Sequence, residues 1–221
     1  MNIAFLYTLK ANESLFQPYI EKYLGGMPVT VTHHTNESLL QHAMEDGLTD
    51  QVAKAVQHSI SEIAAQGADI IICTCSTIGE LAEKTPDISS KVIRVDRPMA
   101  EAALQYESIL VLAAIASTLE PTISLLQSVI QTNEANHCPQ RIIETSVIPE
   151  AWPYYFSGNT EMYTRKIAGY INSIQAGPRA ILLAQASMAP AVELCKENQF
   201  EILTSPELCL RYLAQQVSQY A

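Results

Sequence analysis

The stretch Ala68-Asp-Ile-Ile-Ile-Cys-Thr-Cys-Ser-Thr-Ile-Gly79 constrains this chain more than any other. Its apolar run is short, rich in isoleucine and too apolar to face water on either side. It reads as a strand buried on both faces, as in a parallel sheet. The residues that follow, from Gly79 to Lys84, read as a helix. Cys75 therefore sits where a central strand hands over to a helix N-terminus. Open α/β sheets bind their ligands at that edge. The N–H groups exposed there, and the helix dipole, favour a thiolate and attract carboxylates. The stretch offers a nucleophile or base, Cys75, beside an anion cradle of Ser76 and Thr77.

Strand-like and helix-like runs alternate along the rest of the chain. Strands are predicted at Asn2–Tyr7, Val29–His33, Ala68–Thr74, Val92–Val95, Ile109–Ala114, Arg141–Val147, Ala180–Ala184 and Glu201–Leu203. Helices are predicted at Asn12–Leu24, Thr49–Gln66, Ser76–Lys84, Arg97–Gln105, Glu120–Asn133, Asn159–Gln175, Ala189–Glu197 and Pro206–Tyr220. Such alternation implies βαβ units.

The pattern also repeats. Gly67-Ala-Asp-Ile-Ile-Ile-Cys-Thr-Cys-Ser-Thr77 aligns without gaps on Gly177-Pro-Arg-Ala-Ile-Leu-Leu-Ala-Gln-Ala-Ser187, and Ile3–Tyr7 echoes Ile109–Ala113. The fold expected is α/β: two similar lobes, each a mainly parallel sheet flanked by helices, with the active cleft between them. The first lobe takes residues 1–96 plus 205–221 and carries Cys75; the second takes 97–204 and carries Gln185. In the gapless register Cys75 matches Gln185 and Thr77 matches Ser187. A one-residue slip would match Cys75 to Ala186, and neither register supplies a second cysteine.

A net charge of −10 argues against nucleic acid or an anionic membrane surface as partner, though not against a small anion in a pocket. No stretch is long and apolar enough to span a bilayer. The N-terminus lacks a basic segment, and reads as a strand rather than a signal peptide. Five cysteines, an odd number in a chain too large to need disulfides, point to a reducing cytoplasm. Cys73-Thr-Cys75 lacks the further ligands of a zinc site, so no metal is expected. Without a Gly-rich phosphate loop or dinucleotide fingerprint, no nucleotide cofactor is expected either.

At this point the residues resemble the aspartate/glutamate racemase superfamily, which also includes hydantoin racemases, maleate isomerases and arylmalonate decarboxylases. Thr74-Cys-Ser-Thr77 looks like the first-lobe Ala-Cys-Asn-Thr motif. Leu183-Ala-Gln-Ala-Ser187 occupies the place of the second-lobe Leu-Gly-Cys-Thr motif. Ser117-Thr118 resembles the hydroxyl-bearing loop that holds a substrate carboxylate, and Thr8 falls at another substrate-binding position. The resemblance covers essentially the whole chain. It implies cofactor-independent chemistry next to a carboxylate, a small acid or amino acid as ligand, and a homodimer.

The departure is Gln185. The superfamily's racemases place two cysteines on opposite faces of the substrate carbon, and a carboxamide has no usable pKa for proton exchange. Gln185 instead reads as a hydrogen-bond donor for a carboxylate or enolate oxygen. Cys138, Cys195 and Cys209 are the remaining thiols that could replace the missing one. The resulting expectation is an isomerase-like or one-cysteine decarboxylase enzyme. Cys75 is its base or nucleophile, and Thr8, Ser76, Thr77, Ser117, Thr118, Gln185 and Ser187 bind the acid. The rival of a different class is a non-catalytic small-carboxylate binding protein.

Other polar residues carry two readings each. Asp96 is a cap for the helix near Pro98 or a group at the cleft. Arg97 is a bidentate carboxylate clamp or half of an ion pair. His33 is a second proton relay or a strand residue facing away. Trp152-Pro-Tyr-Tyr-Phe156 is a loop that forms a lid or packs between lobes.

Overall fold

The computed structural model describes residues 1–133, 141–175, 177–196 and 200–219. Cys138, one of the thiols considered above, lies outside the described residues. The chain divides into two compact units, Met1–Arg97 with Cys209–Ala221, and Pro98–Leu208. Each unit is an α/β lobe around one four-stranded, all-parallel sheet.

The first sheet has the order β2-β1-β3-β4, built from β1 (Asn2–Tyr7), β2 (Thr30–Thr35), β3 (Ile70–Cys73) and β4 (Lys91–Arg94). Every residue of β3 is buried, and so is β1 beyond Asn2. The edge strand β2 alternates in exposure instead. That contrast is what a sheet covered on both faces requires of its centre. Helices α1 (Ala11–Leu24), α2 (Glu37–Asp46), α3 (Asp50–Ala65) and α4 (Ser76–Glu83) supply the cover. Asn12, Phe16, Ile20 and Leu24 recur at a four-residue spacing along α1, which lines them up on one buried stripe. Leu39 and Ala43 of α2 join Val56 and Ile60 of α3 and Ile78 of α4 in the core cluster that also takes in Ile71, Cys73 and Cys75.

The second sheet repeats the design with the order β6-β5-β7-β8, from β5 (Ser108–Ala113), β6 (Ile142–Val147), β7 (Ala180–Leu183) and β8 (Glu201–Thr204). Between these lie α6 (Leu119–Asn133), α7 (Trp152–Phe156) and α8 (Thr160–Ser173), with α5 (Arg97–Ala103) and α9 (Ser205–Gln219) at the junctions of the two units. The hydrogen-bond register shows how closely the units match. Ile70 pairs with Ile3 and Cys73 with Leu6; Ala180 pairs with Ile109 and Leu183 with Leu112. Just past the strands, Thr74 N–H donates to Leu6 O (3.0 Å) and Ala184 N–H to Leu112 O (2.9 Å). The internal repeat is therefore structural, and its register is the gapless one.

Three sequence expectations are corrected. Helix α2 was not anticipated, because Glu37–Asp46 offers only Leu39, Leu40 and Ala43 to a core and is otherwise polar. The Trp152–Phe156 stretch is not a loop but the short helix α7, with Pro153 in its first turn, where the missing N–H costs nothing. The helix expected from Ala189 is a 3₁₀ segment that begins earlier, at Ala186, and runs to Leu194. The Pro190 ring would crowd the carbonyl four residues back in a regular α-helix, which disfavours that winding here.

Candidate functional site

In each unit the strand order reverses at the central pair, β1/β3 in the first and β5/β7 in the second. Outside the carboxyl ends of such a pair lies the crevice that open α/β sheets use for ligands. The residues found there are Thr8 and Cys75 in the first unit, Ala114 and Gln185 in the second. Cys75 and Gln185 share a backbone role. Each is the extended residue before a helical segment, with φ/ψ of −113°/115° and −124°/136°.

In the first unit Thr8 is 2% exposed and Cys75 8%, and Ser76 and Thr77 open α4. Cys75 makes no side-chain cap bond, so its thiol is not spent on the helix it precedes. Cys73, one turn of the strand earlier, is different. It is fully buried, its Sγ lies 3.7 Å from Cys75 O, and burial, with Cys75 beside it, pushes its thiol pKa up. Cys209 is buried and pushed up in the same way.

Beneath α4 lies a buried ion pair. Arg94 Nε and Nη2 donate to the two carboxylate oxygens of Asp96, at 2.7 and 2.8 Å, with both side chains almost wholly inaccessible. Arg94 Nη2 also reaches Ser76 O at 3.3 Å. The arginine crosses α4 at Gly79, where a Cβ would meet Arg94 Cβ at 2.9 Å and Nε at 3.0 Å. Glu83 completes the arrangement, accepting Arg94 N–H at 3.1 Å and the guanidinium of Arg97 on both carboxylate oxygens.

Several of the sequence candidates have structural partners. Asp96 neutralises Arg94 rather than facing solvent, and Arg97 is half of an ion pair with Glu83. Nδ1 of His33 lies 3.0 Å from Tyr7 Oη, and its ring stacks on Tyr7 and Phe5. That places it in an aromatic stack with Phe16 of α1 rather than with Cys73 and Cys75.

In the second unit Gln185 spans the switch point. Its Oε1 accepts the Ala114 N–H at 2.7 Å, tying the end of β7 to the end of β5. Ser187, 9% exposed, lies 2.9 Å from the phenol of Tyr163 on α8. Burial, more than any charge, holds the Tyr163 pKa up, so the phenol stays protonated. Tyr155 of α7 packs on Tyr163 at 4.9 Å between ring centres, and Trp152 on Tyr155 at 5.3 Å. The aromatic stretch is thus the packing behind Ser187, with Phe156 left 84% exposed. Tyr163 carries no signal in the sequence beyond its place on the buried stripe of α8. Thr118 donates its hydroxyl to Ile115 O at 2.9 Å, closing its own 3₁₀ turn, while Ser117 is exposed.

The Gln185 bond has a measurable consequence. Gln185→Ala leaves the buried Ala114 N–H without an acceptor, a loss of about 1–3 kcal/mol in urea unfolding. Gln185→Glu keeps an oxygen in place and is expected to cost less. Equal costs for the two would show that the bond is not what matters.

Solved structures that match include aspartate racemase from Picrophilus torridus (15% identity, 98% of this chain and 94% of that one, TM-score 0.65). Glutamate racemase from Thermus thermophilus, in complex with β-chloro-D-alanine, matches with 15% identity over 99% of this chain and 81% of that one, TM-score 0.69. The chain has the racemase fold. Allantoin racemase from Klebsiella pneumoniae shares it too, at 12% identity over 100% of this chain and 88% of that one, TM-score 0.59. No protein-family model and no curated protein sequence matches. Among the described residues of this racemase fold, no group of three or more His, Cys, Asp or Glu could hold a metal ion. No described helix is long and apolar enough to cross a membrane.

Proposed function

We propose that the chain is a divergent member of the aspartate/glutamate/hydantoin racemase superfamily. It acts without cofactor on the carbon next to the carboxylate of a small acid. The observation that carries this reading is Cys75, which stands at the switch point of the first unit and heads α4 with Ser76 and Thr77 behind it. The racemase fold supports it.

In this reading the Cys75 thiolate takes a proton from the α-carbon. The electron pair moves onto the carboxylate, giving an enediolate. N–H groups and hydroxyls at the strand ends hold that charge, and the proton returns to carbon. Within the second unit Gln185 is suited to hydrogen bonding and not to proton transfer, since a carboxamide exchanges no protons near neutrality. One thiol suits a decarboxylation, in which the bond to the departing CO₂ breaks, its electron pair forms the enediolate and the Cys75 S–H protonates the carbon, or an isomerisation in which the proton returns to a neighbouring carbon, better than two-thiol racemisation.

Proton exchange tests this directly. Small carboxylic and amino acids are incubated with the protein in D₂O, and deuterium at the carbon next to the carboxylate is followed by NMR. Racemisation and decarboxylation leave deuterium there, and isomerisation leaves it there or at the carbon that receives the proton. Uptake into one acid or its product is expected. A second reading, a small-carboxylate binding protein, is favoured by one observation: Gln185 uses its oxygen to brace its own unit. Tight binding of an acid with no exchange would decide for it.

A further inference from the structure

We infer that β6, an edge strand of the second sheet, is the surface through which two copies of this chain associate. The strands pair antiparallel about a twofold axis that passes between their Thr145 residues. The inference goes beyond the proposed function and concerns the second unit alone.

β6 lies at the end of its sheet, and among the described residues no strand pairs with its outer side. Its backbone bonds to β5 run through alternate residues. Ile142 N–H donates to Glu107 O and, just past the strand, Ile148 N–H donates to Ala113 O, both at 2.8 Å. In an evenly spaced parallel ladder Glu144 and Ser146 follow suit, so Ile143, Thr145 and Val147 turn their N–H and C=O groups away from the sheet. The strand also leaves two large apolar side chains in water, Ile142 at 61% and Val147 at 37%.

Such an edge is a pairing surface unless the chain blunts it. The other edges are blunted or ill-matched. β4 and β8 have four residues each, and Glu83 takes the outward Arg94 N–H of β4. β2 exposes no large apolar side chain. Its outward residues are Val31, His33 and Thr35, so a twofold centred there would set His33 against His33.

β6, by contrast, is its own complement. A twofold perpendicular to the sheet keeps its two faces, so a residue meets only residues whose side chains lie on the same face. Centring on Thr145 sets Ile143 opposite Val147 of the second copy and Thr145 opposite Thr145. Apolar and Thr–Thr pairs are among those that stabilise antiparallel strands. This register bonds Ile143, Thr145 and Val147 alike, and on the other face sets Glu144 opposite Ser146. Centring one residue earlier would set Glu144 against Glu144, and one residue later would leave Ile143 beyond the end of the partner strand. The pairing consumes β6 on both copies, so it closes at two.

A contact built round one strand belongs to the small, weak class of interfaces, and the test is made at high concentration. Sedimentation velocity of the full chain is recorded up to about 0.2 mM, and a dimer is expected at the top of that range. Thr145 is exposed, so Thr145→Lys and Thr145→Glu should both melt where the parent protein does. Each sets like charges across the axis and is expected to weaken association by about tenfold or more. An equimolar mixture of the two sets Lys against Glu and is expected to restore it, which mere damage to the fold would not allow. A chain that stays monomeric at about 0.2 mM overturns the inference. So does undiminished association of either single variant, or a mixture that associates no better than its components.

Discussion

Replacing Cys75 with alanine is expected to reduce deuterium exchange by about 10²–10⁴-fold, the contribution of a positioned acid–base group. The fold should survive, because the change removes one sulfur from a small side chain at the end of β3. Cys75→Ser is expected to fail nearly as badly, since an alcohol is far too weak an acid to supply an anion near neutral pH. Acid binding should persist in both variants. Cys73→Ala is the control. Its thiol is fully buried and its pKa is raised by burial, so its loss should lower stability and leave exchange intact. If Cys73→Ala removed exchange while Cys75→Ala did not, the chemistry would belong to a different sulfur. If neither did, the thiol mechanism would be wrong.

The fold was legible because its strongest signal is a repeat. Ile70–Cys73 and Ala180–Leu183 are apolar on both faces, and a strand with that composition has only the middle of a parallel sheet to occupy. The place of Cys75 followed from the same run, because the end of a buried strand is also the edge where open sheets bind ligands. What escaped was whatever depends on a partner distant in sequence. Nothing near Gln185 announces that Ala114, at the end of another strand, takes its amide oxygen. Tyr163 reads as an ordinary core aromatic until Ser187 is placed beside it. Asp96 and Arg97 looked like one polar cluster after a strand, yet they take different partners, Arg94 and Glu83. Helix α2 escaped for another reason: with two buried residues, it owes its place to packing on α3 and α4 rather than to its own pattern.

The buried pair beneath α4 gives the largest effect expected on stability. Asp96→Ala leaves the Arg94 guanidinium without its counter-charge in a site that water does not reach. Breaking such a pair costs about 3–5 kcal/mol, a large share of the 5–15 kcal/mol that holds a typical domain together. Burial opposes the charge on Arg94, but Asp96, and Glu83 behind it, more than offset this and keep the guanidinium pKa above its usual value. That offset is lost with Asp96, but a guanidinium is too weak an acid to give up its proton near neutral pH, so the charge stays uncompensated. Removing both charges, as Arg94→Met with Asp96→Leu, is expected to cost less than Asp96→Ala alone, because no buried charge is then left uncompensated. Urea unfolding of the single and double variants measures this coupling. Gly79→Ala probes the same contact from the helix side: its Cβ would fall 2.9 Å from Arg94 Cβ and 3.0 Å from Nε, so shortening Arg94 to alanine, which keeps the Cβ, should relieve only part of the clash. The pair also reaches the proposed chemistry. Arg94 Nη2 holds Ser76 O in the first turn of α4, so Asp96→Asn, which weakens the pair without emptying the site, should slow exchange at Cys75 as well as lower stability. A protein that tolerates Asp96→Ala with a loss below about 1 kcal/mol would show that this carboxylate is not the counter-charge.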